Sequence, residues 1–118
     1  MTTTQSEIDS LVKRARVAQQ RYETSGSQES FDKAAAAAAW ALMEPSRNAE
    51  LAAFAVAETG LGNVADKITK NHRKTLGLLR DIKGQKSFGL IDDNLLTGVS
   101  EFLRPKGVVA AIVPSTNP

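Results

Sequence analysis

The sequence predicts a chain that is mostly α-helical and turns to short strands at its C-terminal end. Three observations carry that prediction. Apolar residues recur at helical spacing up to about residue 86. After Gly84 the pattern shortens to strand-like runs broken by Asp, Asn, Thr and Gly. The last apolar stretch, residues 108–113, is unbroken, which fits a strand buried on both faces, as in a parallel sheet under helices.

The first helix is expected over about residues 5–23. Thr4 with Glu7 reads as a capping box, and Ile8, Leu11, Val12, Ala15, Ala18 and Tyr22 form one apolar face. Thr24, Ser25, Gly26 and Ser27 make a break with capping chemistry for the next helix. That second helix, about residues 28–44, holds six consecutive alanines. Alanine favours the helix but buries little area, so Phe31, Trp40, Leu42 and Met43 are expected to supply its packing. Glu44, Pro45 and Ser46 end it, because the residue before a proline avoids helical backbone. A third helix, about residues 47–59, carries Leu51, Phe54, Ala55 and Glu58 and closes on Gly60. Asn63 caps a fourth, about residues 64–83, which Gly84 stops. Its stripe is Val64, Ile68, Thr75, Leu79 and Ile82, flanked by Leu76 and Leu78. Residues 87–91 and 99–104 then read as strands, with Asp92, Asp93 and Asn94 as turn formers.

A chain of 118 residues suits one ordinary domain, and 42% apolar with 24% charged residues argues against wholesale disorder. No run is long enough to span a membrane and no leader pattern is visible, so a soluble cytoplasmic protein is the expectation. The absence of cysteine excludes disulfides, thiolate metal sites and a cysteine nucleophile within these residues. No metal site is expected.

Four features invite a chemical reading. Gly60, Leu61, Gly62, Asn63, Val64 and Ala65 match the spacing of a dinucleotide fingerprint, but that motif needs a strand before its first glycine, and a helix is predicted there. A helix–glycine–helix corner accounts for both glycines. Residues 67–86 carry seven basic side chains and one acid, Asp81, against eight basic and twelve acidic elsewhere. Phosphate or nucleic-acid binding by this helix would show a steep salt dependence. Without aromatic residues for base stacking, a solvated helix face is the simpler account and nucleic acid is not the expected partner. His72, the one histidine, has no carboxylate three or four positions away and reads as a partly buried packing or capping residue. The loop Pro114, Ser115, Thr116, Asn117 and Pro118 follows the apolar run, and ligands bind at the carboxyl ends of parallel strands. Its hydroxyl and amide groups can hold a ligand or polarise a carbonyl. A proline-bracketed loop is equally a common structural feature, so chemistry alone leaves both readings open.

Glu58, Thr59, Gly60, Leu61 and Gly62, together with residues 107–118, resemble the N-terminal part of the aldehyde dehydrogenase superfamily. The ending Val113, Pro114, Ser115, Thr116, Asn117, Pro118 is similar to the CoA-acylating branch. The resemblance implies an α/β aldehyde dehydrogenase-like fold that includes a Rossmann-like cofactor domain. Residues 1–86 would be helices of that domain, 87–105 strands of an oligomerisation flap, and 106–118 the first strand and loop of the cofactor sheet. It further implies that Val113, Pro114, Ser115 and Thr116 touch NAD or NADP. Either Thr116 or Asn117 would stabilise the thiohemiacetal oxyanion, an amide N–H favouring Asn117. The implied partners are a small aldehyde and coenzyme A, within a homo-oligomer. The nucleophilic cysteine and most of such an enzyme lie outside these residues, and none of them reads the aldehyde, a sulfo- or carboxy-substituted acetaldehyde being one that the branch could take. The rival expectation is a small helical interaction module without catalysis, in which residues 6–22 could serve as a targeting helix.

Overall fold

A computed structural model describes residues 3–116. Four helices precede a two-stranded sheet: α1 (Thr3–Ser25), α2 (Gln28–Met43), α3 (Pro45–Thr59), α4 (Val64–Ile82), β1 (Gly89–Asn94) and β2 (Val99–Leu103). The helical prediction thus holds in number and order, with boundaries moved by a residue or two. Thr4 lies inside α1, so the expected capping box does not form there. The structure divides into two compact units, residues 3–31 with 86–111 and residues 32–85 with 112–116, and α2 passes from one to the other.

In the first unit the α1–α2 break shrinks to Gly26 and Ser27. Ser27 and Ser30 cap each other, Ser27 N–H donating to Ser30 Oγ at 2.7 Å and Ser30 N–H to Ser27 Oγ at 3.2 Å. Phe31 packs edge-on against Tyr22 and Phe88, with ring centroids 4.6 and 5.4 Å away. Gly26 is required by that packing, since a Cβ there would collide with the Phe31 ring. Gln28 ties in residue 87, its Oε1 accepting from Ser87 N–H at 2.8 Å.

The strands pair antiparallel, with a register shift between Leu90 and Asp92. Asp92 and Asp93 are therefore strand residues, not turn formers. The turn belongs to Asn94, whose Oδ1 accepts from the N–H groups of Leu96 and Thr97, both at 3.1 Å. The largest departure is at residues 108–113. They form no strand, and Val109 and Ile112 are exposed rather than buried. A ladder needs a neighbour, and among the described residues none runs beside this segment.

In the second unit α3 packs on α4. The buried face of α3 is Asn48, Ala52 and Ala55, at helical spacing. Leu51 and Phe54 are exposed, and so is Trp40, which was expected to supply packing for α2. Small residues win the interface because they let the helix backbones approach closely. Asn48 crosses it: its Nδ2 donates to Ile68 C=O and its Oδ1 accepts from Asn71 Nδ2, both at 3.0 Å. Gly60 closes α3 in the left-handed conformation at φ 66°, its N–H donating to Val56 C=O. No helix of the described residues is long and apolar enough to cross a membrane.

Candidate functional site

The terminal loop and the start of α4 meet within the second unit. Asn63, in extended backbone, caps α4 by accepting from Asp66 N–H at 2.9 Å, and its Nδ2 donates to Asp66 Oδ2 at 2.6 Å. The stretch before Gly60 is α3, so its glycines form a helix–helix corner and not a strand-to-helix phosphate turn. One turn along α4, Lys70 Nζ donates to the backbone carbonyl of Thr116 at 2.9 Å. This contact links positions 46 residues apart. It sets the loop against Leu61, Gly62, Asn63, Asp66 and Lys67, around a groove of about 380 Å³.

Of the loop residues singled out in the sequence, Val113 and Pro114 lead into a turn at Ser115 and Thr116, and all four are exposed. Two exposed hydroxyls at a turn are a donor set suited to an oxygen-rich ligand such as a dinucleotide. Asn117 lies outside the described residues.

The position of two lysines of the groove was not legible in the sequence. Lys67 and Lys70 read as part of a solvated basic face, yet Lys67 is only 7% exposed. The available signal was positional: both fall beside Val64, Ile68 and Asn71 on the stripe that packs inward. His72, by contrast, is exposed, because it falls on the outer face of α4. No group of carboxylates or histidines among the described residues could hold a metal ion. A second groove, of about 450 Å³ in the first unit beside Tyr22, Phe31 and Phe88, has Tyr22 and Glu23 as its ionisable groups and Ser87, whose Oγ accepts from Gln28 Nε2 at 3.0 Å, as a further hydroxyl.

The chain matches the N-terminal portion of CoA-acylating aldehyde dehydrogenases. It is 58% identical over 94% of its length to a sulfoacetaldehyde dehydrogenase (acylating) of Cupriavidus necator, and 52% identical over 77% to one of Bilophila wadsworthia. An aldehyde-alcohol dehydrogenase of Clostridium acetobutylicum is 40% identical over 98% of the chain. The chain spans 22%, 20% and 13% of those relatives' lengths. No family model and no solved structure matches it.

Proposed function

We propose that these residues form the N-terminal part of an NAD(P)-dependent CoA-acylating aldehyde dehydrogenase. It would convert an aldehyde, CoA and NAD(P)+ to acyl-CoA, NAD(P)H and a proton. The observation that carries this reading is the 58% identity over nearly the whole chain to an enzyme named for that chemistry. Sulfoacetaldehyde is the aldehyde that the names of three relatives suggest. A nicotinamide cofactor supplies the hydride acceptor when bound, and Val113, Pro114, Ser115 and Thr116 are the residues here that would hold part of it. The nucleophilic cysteine belongs to the remainder of the enzyme, since none occurs among these residues. Residues 87–105 would form an oligomerisation flap and 106–118 the first strand and loop of the cofactor sheet, within a homo-oligomer. Residues 108–113 would gain their ladder partners from that sheet, which accounts for an apolar run left exposed here.

The test is the whole native protein, whose mass should be several times 12.6 kDa. CoA-dependent reduction of NAD+ or NADP+ with sulfoacetaldehyde is the expected activity; its absence with every short aldehyde would sink the reading. Within it, Asn117→Ala and Thr116→Ala separate the two oxyanion candidates. Loss of a true donor should lower kcat by roughly 100- to 1000-fold, and the other variant should fall far less.

A further inference from the structure

We infer that Asn48 and Lys70 are positioning residues that set the terminal loop from the α3–α4 interface. Lys70 holds the loop, and Asn48 fixes the turn of α4 that carries Lys70. Asn48 is 2% exposed, on a helix face otherwise buried at Ala52 and Ala55. An apolar residue of similar size would need no partners there, so the amide adds specificity more than stability. The best-attested use of such a buried amide is to select one register between helices. Asn48 uses both halves of its amide on α4: Nδ2 donates to Ile68 C=O and Oδ1 accepts from Asn71 Nδ2, both at 3.0 Å. Those two partners bracket Lys70 in the sequence. Moving α4 by one residue would turn its side chains by about 100° and break both bonds.

Lys70 converts that register into a position for the loop. Its Nζ donates to the Thr116 carbonyl at 2.9 Å, and a charged donor makes this one of the stronger kinds of hydrogen bond. The carbonyl belongs to the peptide unit that joins Thr116 to Asn117, so the lysine holds the unit between the two oxyanion candidates. Lys70 is half-buried, whereas Arg73 and Lys74, one turn further along α4, are exposed. An oxyanion donor works by its position, and a displacement of about 1 Å costs on the order of 100-fold in rate. A shift of α4 against α3 therefore reaches the reaction through Lys70, although Asn48 is too buried to touch a substrate. What the loop does rests on the proposed acylating activity; what holds the loop does not.

The test uses the whole enzyme with Lys70→Met, Lys70→Arg, Asn48→Leu and the combination of Lys70→Met with Asn48→Leu, and Asn48→Ala should the leucine not fit. Three readouts apply: kinetics with sulfoacetaldehyde, CoA and NAD+, amide exchange across residues 112–116, and thermal melting. Lys70→Met should lower kcat by roughly 10- to 100-fold while KM for aldehyde and CoA stays within about threefold of wild type. Lys70→Arg should recover most of that loss. Asn48→Leu should lower kcat in the same direction and speed exchange at the same amides. Because Asn48 acts through Lys70, the double variant should be no slower than Lys70→Met alone. Losses that multiply in the double variant would overturn the inference, as would wild-type kcat in Lys70→Met. A lower melting temperature in Asn48→Leu that kcat does not follow would make Asn48 a structural residue only and overturn its part. A wild-type enzyme without CoA-dependent activity would sink the proposed function and leave exchange to decide. Faster, non-additive exchange in the variants would then keep the two positioning residues, and exchange equal to wild type would overturn them.

Discussion

Glu44 shows how one side chain decides where a helix begins. Its carboxylate accepts from Ser46 Oγ at 2.7 Å, Arg47 N–H at 2.9 Å and Ser46 N–H at 3.2 Å, ahead of Pro45 in the first turn of α3. The Ser46 hydroxyl, then the two N–H groups, hold the Glu44 carboxyl below its ordinary value of 4.5. Because the folded value is the lower one, the cap acts fully above 4.5 and is lost as pH falls through the depressed value. An NMR titration should place Glu44 below a free glutamate, and Ser46→Ala should move it upward. Gly60 offers a second test. At φ 66° with open space around a Cβ, its substitution costs backbone strain alone. Gly60→Ala should destabilise the protein by about 1 to 2 kcal/mol in denaturant melts, and Gly60→Asn by less, since asparagine tolerates that region. The glycine cap and the Asn63 cap were legible because each depends on one residue and its neighbours. Asn48 was not: its bonds to Ile68 and Asn71 cross between helices, and nothing local marks them.

At the scale of elements, helices were readable because a period of 3.6 repeats over several turns and ends on recognisable caps. Strands were less so. Asp92 and Asp93 look like turn residues, yet Asn94 alone closes the turn, with Gly98 at φ 67° donating its N–H to Asn94 C=O at 2.8 Å. Asn94→Ala should weaken pairing of β1 with β2 and raise amide exchange across residues 89–103, with little change in α3 or α4. Lys70 is the corresponding tie for the terminal loop. Lys70→Met should remove the lysine's bond to the Thr116 carbonyl and speed exchange in residues 108–116, and Lys70→Arg should restore much of the protection. Equal exchange in Lys70→Met and wild type would remove the lysine as the loop's anchor. Residues 108–113 carry a strand's composition without a strand's structure. Propensity sets what a segment can form, but hydrogen bonds to a neighbour decide whether it does.

For the molecule as a whole, the apolar core of the described residues is Ala52 and Ala55, with Asn48 and Lys67 buried beside them. Phe54, Trp40, Val109 and Ile112 remain exposed, the last fully. Two alanines bury too little area to offset the entropy of ordering the chain. Residues 1–118 produced alone should therefore be helical, loosely packed and prone to self-association. Circular dichroism with sedimentation velocity checks this; a sharply melting monomer would contradict it. The sequence by itself determined the four helices, their glycine and asparagine corners and the likeness to acylating aldehyde dehydrogenases, because those signals are local or are carried by residue identity. Tertiary structure alone decided which faces were buried. It chose Ala52 over Phe54 at the α3–α4 interface, drew Lys67 inward, and set Lys70 on Thr116. Burial depends on which surface arrives opposite, and a periodic pattern names a face without naming its partner.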